Sequence, residues 1–269
     1  MPDLSAFLDA HPEAVVVAVK EAKGSTPRGT DAFMLVAAEA LHGTIGGGAL
    51  EFAAIERARA IQRGREAEGD WRQPLGPEIG QCCGGQVTLS FRTLDGALRD
   101  QLLHTEEQAR AGMAQVYLFG AGHVGRALAQ ALSPLPLAVT LVETRGEALR
   151  DLPTNVITRW TALPDDVVRS APPGTAFVVL THDHALDFLV VSEALNRGDA
   201  DYVGMIGSAT KRAVFRKWYL DHGGDEASLA RLVCPIGGAD VKDKRPSVIA
   251  ALTAAELLRA LAALKSCGS

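Results

Sequence analysis

The stretch that decides the fold is Gln115-Val116-Tyr117-Leu118-Phe119-Gly120-Ala121-Gly122-His123-Val124-Gly125-Arg126-Ala127-Leu128-Ala129-Gln130-Ala131-Leu132. Gln115–Phe119 reads as a buried strand, Gly120–Gly125 as a G-x-G-x-x-G turn, and Arg126–Leu132 as a helix with apolar residues at helical spacing. A second strand is expected at Ala138–Val142, and Glu143 ends it about 20 residues beyond the glycines, where a ribose-binding acid belongs. In such a unit the first glycine makes the tight turn and the second leaves room for a pyrophosphate. The third lets the helix pack on the strand, and the helix N-terminus favours phosphate charge. Gly120, Gly122, Gly125 and Glu143 are therefore candidate nucleotide-binding residues, with His123 as a phosphate contact or cap.

Working outward, strands and helices continue to alternate. Val156–Arg159, Ala176–Thr181 and Tyr202–Ile206 read as strands; Ala185–Asn196, Ala209–Asp221 and Pro246–Leu264 read as helices. This alternation predicts a doubly wound parallel sheet. Toward the N-terminus the grammar differs. Ala14–Lys20, Ala32–Ala37, Leu41–Ile45 and Gln86–Arg92 read as short strands, Ala49–Arg63 as a helix, and the polar Glu66–Gln73 as a loop. The expected fold class is α/β: a C-terminal Rossmann-like doubly wound parallel sheet plus a smaller N-terminal α/β domain. The expected boundaries are 1–94, a connecting helix or linker at 95–114, and 115–269.

The chain length of 269 residues fits about two domains. A net charge of −5, no run of like charge, and 5% aromatic residues argue against a nucleic-acid partner. No window of 18 apolar residues predicts a membrane span, and Met1-Pro2-Asp3-Leu4 does not read as a signal peptide, so a cytoplasmic location is expected. In that compartment Cys82, Cys83, Cys234 and Cys267 are expected as thiols.

Four further segments carry chemistry. Gly80-Gln81-Cys82-Cys83-Gly84-Gly85 places two thiols in a glycine-flanked loop, and a thiolate is both a nucleophile and a soft metal ligand. Gly46-Gly47-Gly48 precedes a helix and forms a candidate anion cradle, which Gly24-Ser25-Thr26-Pro27-Arg28 can complete with donors and the Arg28 guanidinium. Gly207-Ser208-Ala209-Thr210-Lys211-Arg212 reads either as an anion cradle using Ser208 and Lys211 or as a capped helix start. Thr181-His182-Asp183-His184, with Asp187, ends the strongest strand and offers either metal ligands or a helix cap.

Taken in order, these pieces resemble the XdhC/CoxI family, and its XdhC branch most closely. The resemblance runs from Gly24-Ser25-Thr26-Pro27-Arg28 through Gly43-Thr44-Ile45-Gly46-Gly47-Gly48-Ala49-Leu50-Glu51 and Gln81-Cys82-Cys83-Gly84-Gly85. It continues through Phe119–Gly125, Thr181-His182 and Gly204-Met205-Ile206-Gly207-Ser208 to Cys234-Pro235-Ile236-Gly237 and Lys244-Arg245-Pro246. One departure is Asp31-Ala32-Phe33, where the family pattern carries a Gly and a Lys, so no cation is carried over there.

The resemblance implies a maturation factor rather than a turnover enzyme. Such a chaperone binds the molybdenum cofactor, holds it while a cysteine desulfurase sulfurates it, and inserts it into apo xanthine dehydrogenase; a homodimer is compatible. Cys82 and Cys83 would meet the cofactor's molybdenum, and the glycine cradles its phosphate. The residues also leave open an NAD(P)-dependent oxidoreductase, with Glu143 favouring NAD by repelling a 2′-phosphate.

Overall fold

The computed structural model describes residues 4–24, 29–30, 32–75, 85–238 and 240–266. Arg28, Cys82, Cys83 and Cys267 lie outside the described residues. The chain divides into two compact units, residues 1–108 and 109–269.

The first unit is an antiparallel five-stranded sheet with helices on both faces. Its strands are β1 (Val15–Lys23), β2 (Phe33–Val36), β3 (Leu41–Gly43), β4 (Gly69–Pro74) and β5 (Gln86–Thr93), in the order β3-β2-β1-β5-β4. The run Val15-Val16-Val17 explains the layering, because successive side chains on a strand point to opposite faces. Val15, Val17 and Val19 pack with Leu50, Ala54, Ala58 and Ile61 of α2 (Gly48–Gln62). Val16 and Leu35 face the other way, toward Leu4, Phe7 and Leu8 of α1 (Leu4–Ala10) and Leu98 of α3 (Gly96–Ala111).

The segment expected as a polar loop, 66–73, instead contains β4, which pairs with β5 from Gly69 opposite Phe91 to Pro74 opposite Gln86. An edge strand needs only one neighbour's backbone and tolerates charges outward, so its composition does not announce it. Its half-buried anchor is Trp71, whose ring lies 6.1 Å from that of Phe91.

The second unit is a parallel six-stranded sheet. Its strands are β6 (Ala114–Phe119), β7 (Leu137–Glu143), β8 (Ile157–Trp160), β9 (Ala176–Val179), β10 (Tyr202–Met205) and β11 (Leu232–Val233). The order β11-β10-β9-β6-β7-β8 becomes 3-2-1-4-5-6, read from its far end, when the strands are counted from β6; this is the doubly wound Rossmann order. β9 and β10 are buried at every residue, as central strands covered on both faces must be.

One face packs α4 (His123–Leu132) and α9 (Pro246–Ser266) against Val116, Leu118, Val139 and Val178. The other packs α5 (Pro164–Ser170), α6 (His184–Arg197) and α7 (Ala209–Asp221) against Phe119, Phe177, Val179 and Met205. A short α8 (Glu226–Ala230) leads into β11. Three short helices and β11 escape the sequence reading; α5 nevertheless carries a start signal in Pro164 followed by two acids, Asp165 and Asp166.

Candidate functional site: the switch point of the parallel sheet

The strand order reverses between β6 and β9, and the crevice beyond the carboxyl ends of these strands is where open α/β sheets bind ligands. The glycine turn borders that crevice. Gly120 has φ 111°, and a Cβ there would lie 2.7 Å from the Leu180 carbonyl oxygen. A Cβ on Gly125 would lie 1.9 Å from the Gly120 carbonyl oxygen, so α4 packs on β6 only with glycine at that position. These two glycines serve the turn itself.

Gly122, the N-cap of α4, differs. Its free space is filled by the imidazole of His182, whose Cε1 would stand 2.7 Å from a Cβ on Gly122. An exposed side chain from the loop after β9 thus borders the second glycine, beside which a dinucleotide fold admits a pyrophosphate. His123 is exposed on the first turn of α4.

Glu143, at the end of β7, is 6% exposed and strongly bonded. One carboxylate oxygen accepts from Ala121 N (2.8 Å) and the Arg145 guanidinium (3.2 Å). The other accepts from Thr144 N (2.9 Å), Thr144 Oγ1 (3.2 Å), Arg145 N (3.1 Å) and Arg145 Nε (3.3 Å). A carboxylate has about four lone-pair directions, so its acceptor capacity is filled. Burial alone would raise its pKa, but the Arg145 guanidinium and the Ala121 and Arg145 amides override burial and hold it at about 2. A ribose diol reaches this carboxylate only by displacing Arg145, which is half exposed.

Between these elements lies a cleft of about 250 Å³. Val142, Pro164 and Leu186 give it apolar walls, while Arg145, Thr181 and His182 bring polar groups to its edge.

Beside the cleft is a buried polar network. Asp187, with no exposed surface, accepts from Thr181 N (3.1 Å) and Thr181 Oγ1 (2.6 Å) and pairs with the Lys211 ammonium. Lys211 Nζ also donates to the Ile206 carbonyl (3.0 Å). Lys211 therefore turns inward and joins the ends of β9 and β10. Ser208 caps α7 by accepting from Lys211 N (3.3 Å), and Asp183 caps α6 by accepting from Ala185 N and Leu186 N. Among the described residues no group of three His, Cys, Asp or Glu side chains could hold a metal ion. Cys234 is buried, and desolvation pushes its thiol pKa up.

In the first unit the Gly46–Gly48 cradle is engaged by its own chain. Glu51, from the first turn of α2, accepts from Thr44 Oγ1, Ile45 N (3.0 Å) and Gly47 N (3.1 Å), while Gly46 N donates to Thr44 Oγ1. All three glycines have positive φ, and the turn they make brings the Ile45 and Gly47 amides onto one carboxylate.

Sequence reasoning named Glu143, Ser208 and Lys211 as cofactor-binding candidates and Asp187 as a metal ligand or cap neighbour, but foresaw neither the Glu143–Arg145 pair nor the Asp187–Lys211 pair. Arg145 was findable, standing two residues after the acid. The contact of His182 with Gly122 joins residues 60 apart in number and has no local signal.

Comparison with known proteins adds the family. The model of the XdhC Rossmann domain matches residues 116–257, and that of the XdhC and CoxI family matches residues 7–68. An uncharacterized protein of Escherichia coli (strain K12), YqeB, is 26% identical over 253 residues. That match covers 90% of this chain and 42% of YqeB, so the chain spans less than half of that relative's length. A crystal structure described as a xanthine dehydrogenase from Bacillus halodurans shares the fold, with a TM-score of 0.76 and 16% identity, over 100% of this chain and 98% of that one. Among the described residues no helix is long and apolar enough to cross a membrane. With its Rossmann unit matched over more than half the chain and its first unit matched separately, the protein belongs to the XdhC and CoxI family.

Proposed function

We propose that the protein is a maturation factor for a molybdenum hydroxylase of the xanthine dehydrogenase kind. In this reading it binds the molybdenum cofactor as cargo, holds it while a cysteine desulfurase exchanges an oxo group for sulfur, and passes it to the apoenzyme. The observation that carries the reading is the ordered motif set of the chain, in which Gln81-Cys82-Cys83-Gly84-Gly85 lies between the two family-matched segments, 7–68 and 116–257.

Cys82 and Cys83 supply soft ligands suited to a sulfur-rich metal centre. The fit of the phosphate is more demanding. The amides of Ile45 and Gly47 already carry Glu51, and Gly122 already carries His182, so an anion at either cradle must displace a side chain of this chain. A carrier has to release its cargo, and an internal competitor at the binding point favours release.

The test compares protein purified from cells that make the cofactor with protein from cells that cannot, assaying molybdenum and released pterin. The reading expects both only in the first preparation, with loss on Cys82→Ala or Cys83→Ala. Negligible content in both preparations overturns it. Capture of the apo-dehydrogenase by cofactor-loaded protein but not by empty protein is the corresponding partner result.

The glycine turn, Glu143 and the cleft favour a second reading, an NAD(P)-dependent oxidoreductase. The filled acceptor capacity of Glu143 weighs against it. Absence of calorimetric heat with both NAD and NADH removes it.

A further inference from the structure

A strand at the edge of a sheet leaves amides and carbonyls unpaired, and beside exposed apolar side chains these invite a further strand. Among the described residues the two sheets have four edges, and three are protected. β3 has three residues and β11 two, while β4 carries Asp70 and Arg72 and ends at Pro74. The fourth edge, β8, has one charge, Arg159, and no proline. All four of its residues are exposed, so neither helix layer covers it. Ile157 is 60% exposed, Trp160 72%, and Leu163, just beyond them, 57%.

The ladder fixes which backbone groups of β8 are spare. The Glu143 carbonyl accepts from Thr161 N (3.1 Å), whereas the Val142 carbonyl turns the other way and accepts from Gly120 N (2.9 Å). Backbone groups alternate sides along a strand, and Leu141 stands opposite Thr158. The amides of Ile157, Arg159 and Thr161 therefore face β7, and those of Thr158 and Trp160 face outward.

We propose that β8 is a self-association edge, at which a second copy of this chain pairs its own β8 antiparallel about a two-fold axis through Thr158. The strand itself selects that partner and that register. Opposed side chains of an antiparallel pair share a face. A two-fold axis normal to the sheet keeps each side chain on its own face, so one residue must stand opposite its own copy. Centring on Arg159 would oppose two guanidiniums, which repel. Centring on Ile157 or Trp160 would set every other residue of β8 opposite one outside the strand. Thr158 satisfies both conditions. Its outward amide and carbonyl bond reciprocally to those of its copy, and Arg159 lies opposite Ile157, which takes the methylene stem of the arginine. The exposed surface of Ile157–Trp160 and Leu163 comes to on the order of 1,000 Å² over two copies, the least a specific interface needs, so the dimer is reversible. The inference does not rest on the carrier reading, and cargo content and oligomeric state are measured separately.

The experiment is sedimentation velocity of the full-length protein from about 1 to 200 µM, where the wild type should show a monomer–dimer equilibrium. Thr158→Pro removes an amide that faces outward, a position where an edge strand tolerates proline, and should leave only monomer. Ile157→Lys, at an exposed position, sets two like-charge pairs against Arg159 of each copy and should weaken the dimer at least about tenfold; Ile157→Glu sets opposite charges there and should keep or tighten it. In Thr158→Cys the two Cα atoms of the bonded pair stand about 5.5 Å apart, within reach of a disulfide. Oxidation should then link residue 158 to residue 158, which peptide mass analysis separates from links through the chain's own cysteines. A wild type that stays monomeric throughout overturns the proposal. So does a dimer that survives Ile157→Lys, a dimer weakened as much by Ile157→Glu as by Ile157→Lys, or a dimer of Thr158→Cys that forms no link at residue 158.

Discussion

Replacing Asp187 by alanine strikes the point where β9, α6 and α7 are tied together. The carboxylate is fully buried and receives the Thr181 amide, the Thr181 hydroxyl and the Lys211 ammonium, itself only 12% exposed. Removing it leaves the Thr181 amide without this acceptor, the Thr181 hydroxyl with the Asp183 carbonyl (3.0 Å), and a nearly buried cation with the Ile206 carbonyl as the remaining partner shown for the ammonium. Breaking a buried pair from one side costs about 3–5 kcal/mol. In a unit of this size each kcal/mol moves Tm by about 2–4 °C, so a fall of roughly 10 °C follows.

The assay is urea unfolding of the wild type, Asp187→Ala, Lys211→Met and the double variant Asp187→Ala/Lys211→Met. Because the cost comes from an abandoned charge and not from the loss of a favourable pair, the double variant should be more stable than Asp187→Ala by at least about 1 kcal/mol. A loss below about 1 kcal/mol in Asp187→Ala, or a double variant equal to the sum of the singles, would refute the reasoning.

Glu143 should give the stability curve an acid limb. Its native pKa of about 2 lies below its unfolded value near 4.5, so its contribution is complete above pH 4.5 and is lost as pH falls toward 2. The limb is up to about 3 kcal/mol, and urea midpoints against pH should show it flattened in Glu143→Gln. Gly125→Ala should cost over about 3 kcal/mol, because its Cβ meets the backbone carbonyl of Gly120, whereas Gly122→Ala meets only an exposed imidazole that can swing away and should cost under about 1 kcal/mol; thermal melts compare the two. Glu51→Ala should destabilise the first unit by about 1–3 kcal/mol and speed amide exchange at Ile45 and Gly47, which hydrogen-exchange measurements read directly.

Much of the architecture was legible because it follows from local chemistry. The strand–glycine–helix run at 115–132 and the fully apolar β9 could hardly be anything but central elements of a parallel sheet. β4 was not legible, since an edge strand draws its stability from the backbone of β5 and here leaves most of its side chains in water, with Trp71 as its anchor on the core. Site residues divided in the same way. Glu143 stood out by its distance from the glycines, but spacing could not reveal that Arg145 and three amides already fill it.

What the sequence determined by itself was periodicity, turn chemistry and the order of motifs: two units, a parallel sheet in the second, and family membership. Only the tertiary structure decided which candidate groups are free to act. It set His182 on Gly122, Glu51 on the Ile45 and Gly47 amides and Lys211 on Asp187, and so turned apparent anion cradles into sites with resident side chains. The reason is physical: a glycine turn is encoded within a few residues by the φ it demands, but the occupant of the space it clears arrives from wherever the chain folds back.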